Sequence, residues 1–492
     1  MAILHTAVFT AFALLAGWLL PQRWRIWALL TGSLLAVYWL QPSSPIRHLD
    51  FWLPSASIGL TIFVWAVTNP RSKSTTGQNR AAALVVLVSV VLVGILRYLG
   101  PLCCLTPTPP PQLAPIILAL GLGAAIIAIP YYFAPGKRIF TAASIVAMLA
   151  IFITLKAGTL GSSASGWLRS LTGQPTELAS ALDISWLGFS YLAFRLLHVL
   201  RDSQQGRLPA YTLSEFAVYA LFFPTYTAGP IDRVQRFTGD LRNPVHSQPQ
   251  EDSPPGTEES VVPRSDYGNL LWGGRRILMG VFKKFVLADS LALIALSGQN
   301  AGQLSSGLWA WVLLYAYALR IYFDFSGYTD VALGLGRLLG FNLPENFDRP
   351  YLKQNLTVFW NSWHITLAQW FRAYYFNPLT RYLRTRPWKP PVWAIVLLGQ
   401  ISTMLLIGLW HGITWNFAIW GAWHGLGLFI HNRWSAWARP RLEDLDKRPR
   451  LQRTLQAGGW FLTFHYVTLG WVWFALPDTQ MALKTFQTLA GF

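Results

Sequence analysis

Charge is scarce in this chain of 492 residues: Asp, Glu, Lys and Arg make up 12% of it, against about 25% in an average soluble domain. That excludes an ordinary water-soluble fold. Strand-like alternation is missing as well, so helices are left as the only element able to span a membrane. Cysteine occurs twice, at the adjacent positions Cys103 and Cys104. Adjacent cysteines rarely staple a fold, and we expect these two to be apolar fillers at a helix end. The opening MAILHTAVFT lacks the basic stretch of a cleaved signal peptide, so the first helix is expected to be retained. No GxSxG elbow, Walker loop, dinucleotide-binding glycine pattern or HExxH pair occurs, so neither a catalytic serine nor a nucleotide cradle is suggested. No metal and no resident cofactor are expected.

What is present is apolar and aromatic. Hydrophobic residues make up 53% of the chain and Trp occurs 25 times. Ala81–Leu99, Ala114–Ile129, Val392–Leu409 and Phe461–Leu476 are apolar runs, each near the roughly 20 residues that cross a bilayer as a helix. The expected fold is all-α: a polytopic integral membrane protein with about 11–13 transmembrane helices plus re-entrant segments. The net charge of +18 is spread over short loops between the apolar runs. It therefore reads as membrane topology and not as nucleic-acid binding. Cationic loops on the cytoplasmic face would attract anionic lipid, or an anionic donor such as a coenzyme A thioester.

Basic and neutral loops alternate. Arg23 and Arg25 are followed by Gln41–Asp50 with one arginine, then by Arg71, Lys73 and Arg80, then by the neutral Pro101–Pro111. Lys137 and Arg138, a nearly uncharged loop at Gly158–Thr176, and Arg201 with Arg207 continue the pattern. The positive-inside rule puts the N-terminus outside. Tyr211–Pro230 is broken by Pro224, Gly229 and Pro230 and has arginines on both sides, which predicts a re-entrant segment. Residues 243–266 are polar, Pro-rich and acidic, and predict a disordered cytoplasmic loop. Gly307–Tyr322 is expected to cross inward, Asn342–Lys389 to lie on the cytoplasmic side, Trp393–Trp410 to cross outward and Trp415–Ile430 to return. We divide the chain into N-terminal transmembrane helices (1–180) and a core (181–492) that contains the disordered loop.

Two stretches carry candidate chemistry. Phe359–Arg372 (FWNSWHITLAQWFR) has helical periodicity, and Asn361 precedes His364 by three residues, so both can share a helix face with the amide orienting the imidazole. The competing reading is an interfacial aromatic helix with a hydrogen-bonded histidine. Leu409–Gly412 (LWHG) breaks the apolar stretch from Val392 to Ile430. His411 there suits a general base, or is a turn histidine facing water. His424 and His431 are seven apart on one face, and His424, in WGAWHG, reads as a structural or supporting residue. Asp324 and Asp330 flank Ser326-Gly327-Tyr328, where carboxylates usually pair with arginine or cap a helix. Topology places His364 on the cytoplasmic side and His411 at an outward turn, so the two are expected at opposite mouths of one path.

Tyr322–Arg372 together with Leu409–Gly425 resembles the membrane-bound O-acyltransferase family, in its bacterial alginate O-acetyltransferase and teichoic-acid D-alanyltransferase branch. The segments that carry the resemblance are FDFSGYTDVALGLGRLLGF, ENFDRPYL, FWNSWHITLAQWFR, PTYTAGPIDR (Pro224–Arg233), GVFKKFVLADSLA (Gly280–Ala292) and the final TFQTLAGF. It covers roughly Leu187 to the C-terminus. The resemblance implies helices around a central tunnel in a bacterial inner membrane and a cytoplasmic thioester donor, acetyl-CoA or a carrier protein. It also implies a polysaccharide acceptor and a periplasmic acetyltransferase- or esterase-like partner. The family's near-invariant histidine falls on His411 and its second motif histidine on His364, which makes these two the expected catalytic residues. Asn361, Trp363, Trp410, His424 and Asp324 are expected to bind substrate or support them. The chain departs from the pattern at Trp370–Arg384, where Ala373 replaces an aspartate. That touches the choice of acceptor more than the chemistry. Acyl transfer to a lipid or protein hydroxyl, a transporter with a histidine proton relay, and an inactive scaffold are the competing readings.

The topology is open to a direct test. With Cys103 and Cys104 removed, an impermeant thiol reagent applied to whole cells should label a cysteine at Ser163 and miss one at Ser435, which lies beside a run of arginines. Equal labelling would overturn the assignment of sides.

Overall fold

Long apolar runs close their backbone hydrogen bonds within one segment because nothing else in a bilayer can accept them, and the chain is accordingly helical. The computed structural model describes residues 2–69, 76–100, 104–133, 138–244, 266–388, 390–441 and 448–492. Among these no strand forms, and one isolated antiparallel bridge joins Phe347 to Trp363. The expected disordered loop at 243–266 lies, apart from its ends, outside the described residues, as do Cys103, Arg71, Lys73, Lys137 and Lys389. Cys104 is disulfide-bonded, which overturns its reading as an apolar filler.

The chain packs as two units. The first comprises Met1–Met279 with Asp330–Pro344. It contains α1 (Ile3–Leu14), α2 (Gln22–Leu40), α3 (Leu49–Thr68), α4 (Thr76–Ile95), α5 (Leu113–Phe133), α6 (Arg138–Lys156), α7 (Gly158–Leu171), α8 (Phe189–Gln204), α9 (Leu213–Leu221), α10 (Val234–Arg242) and most of α11 (Asp266–Val281). On α5 and α6, Ile117, Leu118, Leu122, Ile126 and Val146 are exposed, as expected of faces whose solvent is hydrocarbon. All nine residues of α9 are buried. At about 1.5 Å per residue it is far shorter than the roughly 30 Å hydrocarbon layer. Buried Arg195 of α8 donates to the carbonyl oxygens of Ala220 (2.9 Å) and Thr225 (2.5 Å) and fixes the turn that ends α9.

The second unit comprises Gly280–Thr329 with Glu345–Phe492. It contains α12 (Asp289–Ala292), α13 (Gly298–Ala301), most of α14 (Gly307–Leu338), α15 (Leu356–Trp360), α16 (Ile365–Phe371), α17 (Asn377–Arg384), α18 (Val392–His411), α19 (Trp415–Ala438), α20 (Pro449–Ala475) and α21 (Thr479–Leu489). Its centre is the α18–α19 hairpin. A Cβ on Gly408 would lie 2.2 Å from the Phe417 carbonyl oxygen, and one on Gly421 would lie 2.5 Å from that of Met404. The two backbones therefore touch, as small residues allow in membranes, where packing replaces the hydrophobic drive. Buried Asn416 accepts from the Thr479 hydroxyl (2.8 Å) and donates to the Leu476 carbonyl (2.8 Å), pinning this hairpin to the α20–α21 turn.

Five helices among the described residues are long and apolar enough to cross a membrane: Leu49–Thr68, Thr76–Tyr98, Leu113–Tyr132, Arg138–Lys156 and Val392–His411. α2, α14, α19 and α20 are comparably long but more polar. One expectation fails and another is extended. Gly158–Thr176 is not a loop: its first part is α7, whose buried face Gly161, Ser165 and Arg169 packs against Asp183, which accepts from Ser165 Oγ (2.6 Å) and Arg169 Nε (2.9 Å). Small residues concealed the helical period. The expected crossing Gly307–Tyr322 is the first half of a helix of 32 residues. The run SGYTDVALGLG continues that helix because its glycines are packing sites. A Cβ on Gly327 would lie 2.8 Å from the Gly280 carbonyl oxygen.

The glycine contacts predict opposite responses to the same substitution. Gly408→Ala should lower stability by about 1–3 kcal/mol through overpacking against backbone. Gly458→Ala, where an added Cβ meets nothing within 4 Å, should be neutral or gain about 0.4–1 kcal/mol. Thermal unfolding of the detergent-solubilised protein reads both, and identical melting temperatures would refute close packing in the hairpin.

Candidate active site

The helix expected over Phe359–Arg372 is two short helices, α15 and α16, separated by a turn that ends at His364. The motif ENFDRPYL makes that turn possible. Its backbone runs antiparallel to the turn: the Asp348 amide donates to the Ser362 carbonyl (3.0 Å) and the Ile365 amide to the Asn346 carbonyl (3.0 Å). The Asn346 side-chain oxygen accepts from the Thr366 hydroxyl at 2.6 Å. His364 itself takes left-handed backbone angles, φ 44° and ψ 52°, which cost a non-glycine residue about 1–2 kcal/mol. The surrounding hydrogen bonds offset that cost and hold the ring buried and edge-on to Phe325, centroids 4.7 Å apart. Burial pushes the His364 imidazole down to a pKa of about 3, so the ring is neutral at physiological pH.

His411 is the last residue of α18. The close approach of α18 and α19 carries its half-buried ring into an aromatic cage. Trp410 (4.5 Å), Phe474 (4.7 Å), Phe417 (5.8 Å) and Trp420 (5.8 Å) surround it, centroid to centroid. Trp410 also contacts His364 at 6.1 Å. The two histidines are thus separated by one indole, not by a membrane crossing of about 30 Å, and the expectation of opposite mouths is corrected. The reason is the broken α15–α16 segment, which turns inward and is buried along Phe359–Trp360 and Ser362–His364.

His424 lies in the same cluster. It is fully buried, packs against Trp420 (4.9 Å) and Trp360 (5.1 Å), and faces Gly470, where a Cβ would sit 2.6 Å from its Nε2. His431, seven residues on and expected on the same helix face, is elsewhere: its ring nitrogens meet the hydroxyls of Thr357 (3.0 Å) and Ser435 (3.2 Å). Trp363 stacks on Phe359 (5.7 Å) and contacts Trp471 (5.1 Å), supporting the turn from below His364.

Other expected residues are placed apart from the histidines. Asn361 is exposed, and its side-chain oxygen accepts from Arg372 Nη2 (2.5 Å), so it does not share a helix face with His364 or orient that ring. Asp324 pairs with Lys284 and is half-exposed, while Asp330 pairs with Arg276 at 2.9 Å. Both lie inside α14, not at its end. Tyr351 was missed. Its hydroxyl donates to the Ala318 carbonyl (2.8 Å) and accepts from Trp471 Nε1 (3.0 Å), tying the ENFDRPYL segment to α14 and α20. Phe325, Trp420 and Phe474 were also missed. Phe325 and Trp420 fall in or beside a quoted motif and Phe474 in the apolar run Phe461–Leu476, but as rings in apolar surroundings they carried no chemical signal. Among the described residues no three His, Cys, Asp or Glu side chains gather in a way that would hold a metal ion.

The geometry is therefore a neutral buried histidine and a half-buried histidine in one aromatic shell. The chain is 33% identical over 314 residues to a teichoic acid D-alanyltransferase of Streptococcus thermophilus, covering 61% of this chain and 71% of that protein. It is 33% identical over 312 residues to a protein named "Probable alginate O-acetylase AlgI" of Azotobacter vinelandii, covering 62% and 54%. It is 33% identical over 284 residues to a peptidoglycan O-acetyltransferase of Helicobacter pylori, covering 57% and 48%. The match thus spans about half the length of the two acetylating relatives. The model of the family described as MBOAT, membrane-bound O-acyltransferase, matches residues 51–471, and the chain belongs to that family.

Proposed function

We propose that this protein is an O-acyltransferase of a bacterial inner membrane that moves an acyl group, an acetyl group in the first instance, from a thioester donor to a hydroxyl of an exported or cell-envelope polysaccharide. The donor is coenzyme A or a carrier protein charged on the cytoplasmic side. The observation that carries the reading is the half-buried His411 held one indole away from His364 in a single aromatic shell. Direct transfer requires donor and acceptor to meet at one place, and this cluster supplies it. The names of the three relatives support the acceptor class, since alginate, teichoic acid and peptidoglycan are all envelope or exported polymers. Exposed Arg381 and Arg384 on the amphipathic α17 suit an anionic donor approaching from the basic face.

In this mechanism His411 takes the proton of the acceptor hydroxyl as its oxygen attacks the thioester carbonyl carbon. The new C–O bond forms, the C–S bond breaks, and His411 then passes the proton to the departing sulfur, leaving the ester and a free thiol. The carbonyl end of α18 lies at the same residue and favours the positive charge that the ring carries between the two steps. His364 is neutral throughout and positions the donor by hydrogen bonding, without exchanging a proton.

Two outcomes follow. His411→Ala should lower acylated product by about 10²–10⁴-fold, the usual contribution of a general base, at unchanged membrane levels. Quantifying acylated polymer in cells carrying either form checks this, and full activity would sink the base assignment. In the pH profile of kcat/KM, wild type and His364→Gln should share the same acid limb, because burial keeps His364 unprotonated down to about pH 3. A limb that moves or disappears in His364→Gln would show that His364 titrates in the working range.

A further inference from the structure

Beside His411 lies a group of buried polar edges that the base and donor-positioning roles leave unused. Trp360 on α15 and Trp420 on α19 are 8% and 1% exposed, and among the described residues neither indole N–H has a hydrogen-bond acceptor. The same holds for both ring nitrogens of His424, which is fully buried. The three rings form one group, with centroids 5.6 Å (Trp360–Trp420), 5.1 Å (Trp360–His424) and 4.9 Å (Trp420–His424) apart. A buried polar group left unmatched is costly, and native proteins carry few of them. Three in mutual contact, one of them also against His411 at 5.8 Å, call for a chemical reason.

The type of group points to the ligand. An indole N–H only donates, and carries no charge. Two such donors in an aromatic shell suit an atom that only accepts and that starts neutral. A phosphate would call for cations, and an acceptor hydroxyl would bring a proton of its own. A thioester carbonyl oxygen fits. It is a neutral acceptor in the bound donor and becomes an oxyanion when the acceptor oxygen adds to its carbon, and preset donors in a dry site act most strongly on charge that develops there. We propose that the Trp360 and Trp420 indole N–H groups form the subsite for the acyl carbonyl oxygen of the donor. His424 packs edge-on to both indoles. This rests on the acyl-transfer reading and adds to it the residues that stabilise the tetrahedral intermediate. When that intermediate collapses, the C=O bond reforms, the C–S bond breaks, and the oxygen leaves the donors as a neutral carbonyl of the ester.

Transfer from acetyl-CoA and from an acyl carrier protein would be followed in membranes carrying wild type, Trp420→Phe, Trp360→Phe and Trp420→benzothienylalanine, in which sulfur replaces the N–H within the same ring shape. Trp473→Phe is the control. That indole N–H also lacks an acceptor, but its described ring contact is Phe486 alone, outside the group. Removing one oxyanion donor should lower kcat by about 10²–10³-fold with little change in KM. The benzothienyl variant should match Trp420→Phe, and Trp473→Phe should stay within about twofold of wild type. Membrane level and melting temperature identify any variant that fails to fold, and the isosteric variant then decides. A kcat near wild type in the benzothienyl variant, or a loss confined to KM, would overturn the subsite while leaving His411 as base. A wild type no more active than His411→Ala with either donor would instead remove the acyl-transfer reading and the subsite with it.

Discussion

The contact between the backbones of α18 and α19 is the constraint on which the second unit depends. Gly408 and Gly421 have no room for a side chain, since an added Cβ would fall within the reach of a facing carbonyl. That approach fixes where α18 ends relative to α19, and so where His411 lies relative to Trp420. Any side chain at those two positions would widen the hairpin by an ångström or more, on the scale at which misplacement of a reacting group costs about 10²-fold in rate. The place of His411 is fixed because the glycines where the two helices meet carry no side chain.

Tryptophan does the complementary work. Trp360, Trp363, Trp410, Trp420 and Trp471 make a nearly continuous set of ring contacts around the three histidines. Large rigid rings lose little rotamer entropy, exclude water and still offer an N–H at one edge. Trp471 uses that N–H structurally, on the Tyr351 hydroxyl. A cluster assembled from Leu and Phe would be as dry and would have nothing to donate. The abundance of Trp in the composition thus reflects more than the aromatic belts of a membrane protein.

The helical class was legible in the sequence, because apolar run length is a strong signal. The architecture was less so. Gly158–Thr176 hid a helix, since Gly, Ser and Ala on its buried face carry almost no hydrophobic signal. The periodicity of FWNSWHITLAQWFR pointed to one helix over a segment that breaks at His364, because the hydrogen bonds that stabilise the break come from Asn346 and Asp348, which are distant in sequence. For the same reason Asn361 was assigned to His364 when its real partner is Arg372. Loop charges locate segment ends relative to a membrane and are silent on how deeply a broken segment folds inward, so the two histidines were expected far apart. Local pattern captured the elements. Contacts between distant segments set the site.

The left-handed backbone at His364 also limits what the position can become by mutation. Among residues other than glycine, such angles are tolerated best by asparagine, aspartate and histidine. Aliphatic and β-branched residues would meet a backbone penalty before their side chains were tested at all. The mutational neighbourhood of this residue is therefore narrow and mostly polar. A lineage that lost the need for the imidazole would be expected to drift toward asparagine or glycine while keeping the turn intact. The descendants of such an event would keep the whole aromatic shell around a position without its imidazole, and their fold alone would not distinguish them from proteins that retain it.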